Sequence, residues 1–370
     1  MNTPLDKVLL KQKEPFFNNS SNISIALKSL IILACIVIIV AGMRAADSLL
    51  VPFLLAVFIG IICSPPLFWL KSKGISSAIA LIIVIAGIVG VTLAASLVIG
   101  GSLKDFLQNL PVYQNILQQK LAAMTIWLNS MGISTTEFQS SELFDSKSVM
   151  NIIGKMLGGL SKIFTNTFVI LLTVIFILLE ASGFPLKLRA ALSSPDESLS
   201  RLSQVTDSVR QYLAIKTMCS LLTGVLIALL LYIIGIKQSV LWGFIAFLFN
   251  FIPNIGSIIA AVPAIIMALI QFDTAAAVYT LAGYIFINLS ISNIIEPKFM
   301  GRGLGLSTLV VFISLVFWGW VLGPVGMLLS VLLTTILKIA LESSEETMWL
   351  AILLGPARAV KPDIQSAVKG

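Results

Sequence analysis

N-F-I-P-N-I-G-S-I-I-A-A-V-P-A, residues Asn250 to Ala264, stands inside the apolar run 239–272. An ordinary membrane-spanning helix would carry Leu and Val there. Pro253 cannot donate an intrahelical hydrogen bond, and its ring clashes with the preceding turn. Gly256 tolerates backbone angles that other residues resist. Asn250 and Asn254 bring amides that need partners in hydrocarbon. A helix broken at membrane depth survives only where the freed backbone is buried in protein or lines a wet cavity. Two readings follow: a proline kink in a structural helix, or a broken helix or re-entrant hairpin at a transport site.

The rest of the composition agrees with a membrane setting. Of 370 residues, 58% are hydrophobic and 11% charged, and the mean hydropathy is +1.02. Soluble domains carry about 25% charged residues. Several apolar runs exceed the ~20 residues needed to cross a bilayer. The expected fold class is all-α, a polytopic transmembrane helical protein; a β-barrel would show short alternating segments. The net charge of +7 is read through topology and implies no nucleic-acid partner. The chain has no histidine. That removes Ser-His and Cys-His nucleophile pairs and HExxH zinc sites. Cys35, Cys63 and Cys219 all lie in apolar runs, and their spacing suggests neither a metal site nor a disulfide framework. No cofactor, no metal and no enzyme activity are expected. The first apolar run begins near Ile25 after a long polar lead, so no cleaved signal is expected.

Taken in order, residues 1–24 read as a cytoplasmic tail and 25–100 as three transmembrane helices, spanning 25–43, 48–68 and 75–100. Gly87, Gly90, Gly100 and Gly101 in the third would allow close helix approach. Residues 101–158 read as an extramembrane helical segment, split by Pro111 into two helices. Its apolar face would hold Leu103, Leu107, Leu110, Leu117, Leu121, Met124 and Leu128. Residues 159–214 supply a fourth span, 160–180, and a cytoplasmic amphipathic segment. The apolar face of that segment is Leu199, Leu202, Val205, Val209 and Leu213. Residues 215–340 form the expected transport core, and 341–370 a second cytoplasmic tail.

Lys and Arg in short loops set the orientation. Lys71, Lys73, the 184–213 segment and the Lys298/Arg302 loop should be cytoplasmic, as should both termini. This requires each of the runs 239–272 and 306–340 to enter and leave on one side. Each has a central break: Pro253 to Gly256 in the first, Gly319 to Gly326 with Pro324 in the second. The expectation is about six full spans plus two opposed re-entrant helical hairpins, related as an inverted repeat.

Polar residues at depth are the candidates for function. Asn250, Asn254, Asn288 and Asn293 can hydrogen-bond a small polar solute, or cap broken helices and glue helices together. Pro253, Gly256, Trp318, Gly319, Gly323, Pro324 and Gly326 complete the expected substrate path. Glu296, with Lys298 and Arg302 near in sequence, is either an interfacial ion pair or a site for a coupling sodium ion or proton. Asp273 and Glu180 read as interfacial. Gly301 to Gly305 lacks a preceding strand and a Walker Lys-Ser pair, so no ATP binding is expected.

The C-terminal motifs resemble a known family. L-W-G-F-I-A-F-L-F-N-F-I-P-N-I-G-S-I-I-A-A-V-P, then I-E-P-K-F-M-G-R-G-L-G-L-S-T, then F-W-G-W-V-L-G-P-V-G-M-L-L-S-V look like the AI-2E transporter family, and most of all its autoinducer-2 exporter branch. The strong motifs span about residues 205–342, including Lys216-Thr217; the N-terminal half matches in layout, with Val51-Pro52-Phe53 in the second span. The resemblance implies an inner-membrane exporter in bacteria. Its cargo would be the quorum-sensing signal autoinducer-2 or a related small polar solute, and the form a homo-oligomer such as a pentamer. Other family members are associated with sodium/proton antiport, which is the alternative; a non-transporting membrane scaffold is a second. The family's P-N-I-G maps onto Pro253 to Gly256, its E-P-x-x-M-G onto Glu296, Pro297, Met300 and Gly301, and its G-P-V-G onto Gly323 to Gly326. Two positions depart: Leu332 stands where the family usually has proline, and Ala264 where it often has a second. The first departure should straighten the exit of the last hairpin.

Overall fold

A computed structural model describes residues 19–132, 146–181, 183, 187, 195–253, 255–300, 305–342 and 347–356. Asn254 and Arg302 lie outside these residues. Every regular element among them is helical. In chain order they are α1 (Asn19–Ala45), α2 (Asp47–Ser72), α3 (Ser77–Ser130), α4 (Ser146–Thr165), α5 (Thr167–Ala181) and α6 (Pro195–Ile234). Then come α7 (Ser239–Phe249), α8 (Gly256–Gln271), α9 (Thr274–Ser290), a π-helical turn (Ile291–Ile295), α10 (Glu296–Met300), α11 (Thr308–Glu342) and α12 (Met348–Leu354). Among the described residues five segments are long and apolar enough to cross a bilayer: Asp47–Ser72, Ser77–Ser130, Val209–Ile234, Thr274–Phe299 and Thr308–Glu342. Shorter apolar helices include Leu30–Ala45 and Thr167–Glu180. The expected fourth span is thus interrupted at Asn166, between α4 and α5.

Helix α3 departs from the expectation at Pro111. It runs unbroken for 54 residues, about 81 Å at 1.5 Å per residue, far more than the ~30 Å of hydrocarbon. Phe106 and Leu103 before the proline, and Tyr113 and Leu117 after it, are buried in one cluster with Met150, Ile153 and Leu157 of α4. The Phe106 ring also meets Trp242 of α7 edge-on, with centroids 5.5 Å apart. This packing offsets the cost of about 3 kcal/mol that an interior proline carries. The buried face is also offset from the expected one: Leu107 and Met124 are exposed, whereas Phe106 and Tyr113 are inside.

A second join was expected to be a boundary. The amphipathic segment and the fifth span are a single helix, α6, of 40 residues. Val209 and Leu213 are buried as the apolar face requires; the side chains of Leu199, Leu202 and Val205 lie outside the described ones. The glycines of α3 behave otherwise than expected. A Cβ at Gly87, Gly90, Gly100 or Gly101 would meet nothing within 4 Å. Close approach occurs at α6 and α7 instead. There a Cβ on Gly224 would lie 2.8 Å from the Gly243 carbonyl oxygen, and one on Gly243 2.6 Å from Ala228 Cβ.

Both long apolar runs fold back on themselves. In the first, α7 and α8 are joined by a tight turn in which Ile252 N–H donates to Phe249 O at 2.9 Å and Gly256 N–H to Ile252 O at 3.3 Å. The Phe249 carbonyl sits against Gly256 so closely that a Cβ there would collide with it. In the second, Gly323 has φ 66° and ψ −152° inside α11, a conformation open essentially to glycine. Trp318 Nε1 donates to Thr334 Oγ1 at 3.0 Å although the two are 16 residues apart. A straight helix would separate them by about 24 Å. Lys338 Nζ likewise donates to the Gly305 carbonyl, 33 residues away, at 2.8 Å. So α11 is a helical hairpin folded at Gly323. Leu332 is helical and buried within its second arm.

Candidate functional site

The two hairpin tips contribute to one buried apolar cluster. Phe251 from the first and Val325 and Leu329 from the second join Leu55, Phe58, Val84, Val174, Val209 and Leu213. Phe251 meets the Phe58 ring edge-on at 5.4 Å.

Beside the first tip runs a polar line on α6. Lys216, Ser220 and Thr223 are spaced i, i+4 and i+7, which puts them on one helical face. All three are buried. They span about 10 Å along the axis at 1.5 Å per residue. Thr223 Oγ1 donates to the Cys219 carbonyl at 2.9 Å. Asn250, which ends α7, is 5% exposed and donates from Nδ2 to Ser220 Oγ at 3.0 Å. That bond ties the hairpin tip to α6. Asn250→Ala is expected to cost about 1–3 kcal/mol, the range for a buried hydrogen bond whose partner stays behind. Thermal unfolding in detergent checks it, and an unchanged midpoint would mean that the tip is held by other contacts.

At the other end of the line, Lys216 Nζ reaches both oxygens of Glu296, at 2.8 Å and 3.0 Å. The two side chains are 6% and 14% exposed. Glu296 arrives there through the π-helical turn Ile291–Ile295. Such turns add a residue to a helix and recur at functional sites. The sequence neighbours expected beside Glu296 are therefore not its described partner: Lys298 is exposed, and the bond crosses 80 residues to α6.

The remaining candidates divide. Asn288 Nδ2 donates to the Tyr284 carbonyl at 2.9 Å, within its own helix. Asn293 is exposed on the π turn. Pro253 is half-buried in the first tip and Pro324 exposed in the second. Trp318 bonds Thr334 across the second hairpin, Gly319 lies against Met327, and Gly326 against the Trp318 carbonyl. Asp273 caps α9 by accepting from Ala276 N–H at 2.9 Å, and Glu180 pairs with exposed Lys187 at 2.6 Å. Among the buried donors without a hydrogen-bond acceptor among the described residues are Trp242 Nε1, Tyr284 OH and Thr217 Oγ1 beside Lys216. Sequence reasoning missed the α6 line. Its signal was the Lys, Ser and Thr at helical spacing inside an apolar run.

A family model described as AI-2E family transporter matches residues 33–346. The chain belongs to the AI-2E transporter family. It is 40% identical to the AI-2 transport protein TqsA of Escherichia coli over 328 residues, covering 89% of this chain and 95% of TqsA. A candidate transport protein of Haemophilus influenzae is 41% identical over 342 residues, covering 90% of this chain and 98% of that protein. YhhT of Escherichia coli, also named as a candidate transporter, is 37% identical, with 88% of this chain and 93% of YhhT covered. This member of the AI-2E family is thus a multi-pass helical membrane protein of the transporter class, and the Glu296-Pro297 and Gly323-Pro324 motifs fall inside the matched region.

Proposed function

We propose that this AI-2E family member is a secondary exporter of autoinducer-2, or of a related small polar solute, working by alternating access. One observation carries the reading: two helical hairpins whose tips share one buried cluster, beside a buried polar line that includes an ion pair. Hairpins broken at membrane depth are the recurring material of transport sites. The name of TqsA supports the solute class. In this reading the tips are packed shut by Phe251, Val325 and Leu329, and export requires them to separate. The first hairpin then dips in from outside and the second from the cytoplasm, with both termini cytoplasmic in the bacterial inner membrane. In this reading Asn250, Asn254 and Trp318 meet the solute, and the assembly is a homo-oligomer, with a pentamer the form that the family implies. A scaffold without transport is disfavoured by the charged and polar groups buried on α6, which a purely structural interior carries at a cost.

The test is efflux of labelled autoinducer-2 from cells that lack other exporters of it, with and without this protein. Faster efflux, lost on introducing Gly256→Val, is the expected result. Unchanged efflux would sink the substrate assignment.

A further inference from the structure

An ionisable residue within a membrane span is by default a candidate ion or proton site, and Glu296 occupies such a position in the apolar segment Thr274–Phe299. Its geometry argues for a different arrangement. Lys216 Nζ sits between both carboxylate oxygens, at 2.8 and 3.0 Å. Among the described residues Lys216 is also the one charged side chain counted as buried. An ammonium is a compact point charge with three donors. At this place it does what a bound monovalent cation would do: it neutralises the carboxylate and fills its inward coordination sites. Because it is tethered to α6, it competes at a high effective concentration set by that tether. On the same helix Val209, Leu213 and Cys219 are buried and apolar, and the Ser220 hydroxyl one turn on is taken up by Asn250 Nδ2.

We propose that Lys216 is a built-in cation that occupies a latent monovalent-cation site at Glu296, so that this protein does not bind sodium there unless the lysine is removed. The site takes a sodium-like hard cation held by carboxylate oxygen. The inference is independent of which solute the protein exports. It also separates this chain from the sodium/proton antiport alternative, which needs the Glu296 carboxylate free to exchange ions.

The experiment measures equilibrium binding of radioactive sodium to the purified full chain in detergent, alongside its thermal midpoint in sodium chloride and in choline chloride. The expected result is no saturable binding by the wild type and the same midpoint in both salts. Lys216→Met is expected to bind sodium at least about tenfold more tightly than the wild type, and to be stabilised by sodium through linkage. Both gains should vanish in the double variant Lys216→Met with Glu296→Gln. Saturable sodium binding by the wild type that Glu296→Gln abolishes would overturn the proposal. So would a folded Lys216→Met that gains no binding. Should Lys216→Met not fold, the wild type decides by carbodiimide labelling of Glu296 read by mass spectrometry. Labelling unchanged by sodium supports the built-in cation, and protection by sodium refutes it.

Discussion

Valine in place of Gly256 is expected to abolish transport and to destabilise the protein by about 3 kcal/mol or more, the upper end for overpacking. The Cβ would enter the space of the Phe249 carbonyl and come within 2.9 Å of Ile252 Cβ. A side-chain clash can be relieved by a rotamer change, but a clash with backbone requires α7 and α8 to move apart. That movement displaces the tip, and with it the Asn250 to Ser220 hydrogen bond and the seat of Phe251 against Phe58. Gly326→Val should behave alike, because Gly326 stands against the Trp318 carbonyl in the second hairpin. The two hairpins thus share a construction in which a glycine just past the break packs on a carbonyl just before it. Gly323→Ala tests a separate term. Nothing lies within 4 Å of its Cβ, so its cost is backbone strain alone, about 1–3 kcal/mol. Gly87→Ala and Gly90→Ala, which also face open space, are expected to leave the thermal midpoint unchanged or slightly raised, since alanine is the better helix former. The readouts are thermal unfolding in detergent and solute efflux from cells. A Gly256→Val protein with normal stability would mean that the first turn is not as tight as described.

These hairpins were legible in the sequence because the conflict that marks them is local. Pro253, Gly256, Gly323 and Pro324 oppose the helix that their apolar neighbours favour, and that conflict needs no knowledge of tertiary contacts. The continuity of α3 and α6 was not legible, for the converse reason. Pro111 and the polar run before Leu213 look like boundaries on propensity, yet helix is retained where packing outweighs propensity. Phe106 and Tyr113 gain more against α4 and α7 than one missing hydrogen bond costs. The ion-pair partner of Glu296 was hidden by distance along the chain. Lys298 and Arg302 are two and six residues away in sequence, but Lys216, 80 residues away, is brought there by the packing of α6 beside the π turn. Asn250 was singled out correctly as a buried amide needing a partner; that the partner is Ser220 depends on the close approach of α6 and α7 at Gly224 and Gly243, which neither glycine announces alone.

Removing Glu296 should cost more than removing both members of its ion pair. In Glu296→Ala the Lys216 ammonium, 6% exposed, keeps its burial and loses its counter-charge; breaking a buried pair in this way costs about 3–5 kcal/mol. Lys216→Met should cost less, because the Glu296 carboxylate is the more exposed partner at 14% and can recover part of its hydration. Replacing both, with Lys216→Met and Glu296→Leu, removes two desolvated charges and leaves apolar surfaces of similar size in contact, so its stability should return to near the wild-type value. The double-mutant cycle should then give a coupling of about 2 kcal/mol or more, within the range for contacting residues. If the two single variants add, the pair does not act as a unit. A stable double variant also makes the pair's role in transport measurable apart from its role in folding. The pair joins α6 to the first residue of α10, directly after the π turn, which lies between α9 and the second hairpin in sequence. Any export cycle that shifts this turn against α6 must separate the charges or carry both along. If they separate, the double variant should export faster than the wild type, since the attraction holding one state is gone. If the turn and α6 move as one body, its rate should be unchanged while the rate of Gly256→Val falls to background. Efflux from the double variant therefore discriminates between a π turn that moves against α6 and one that moves with it.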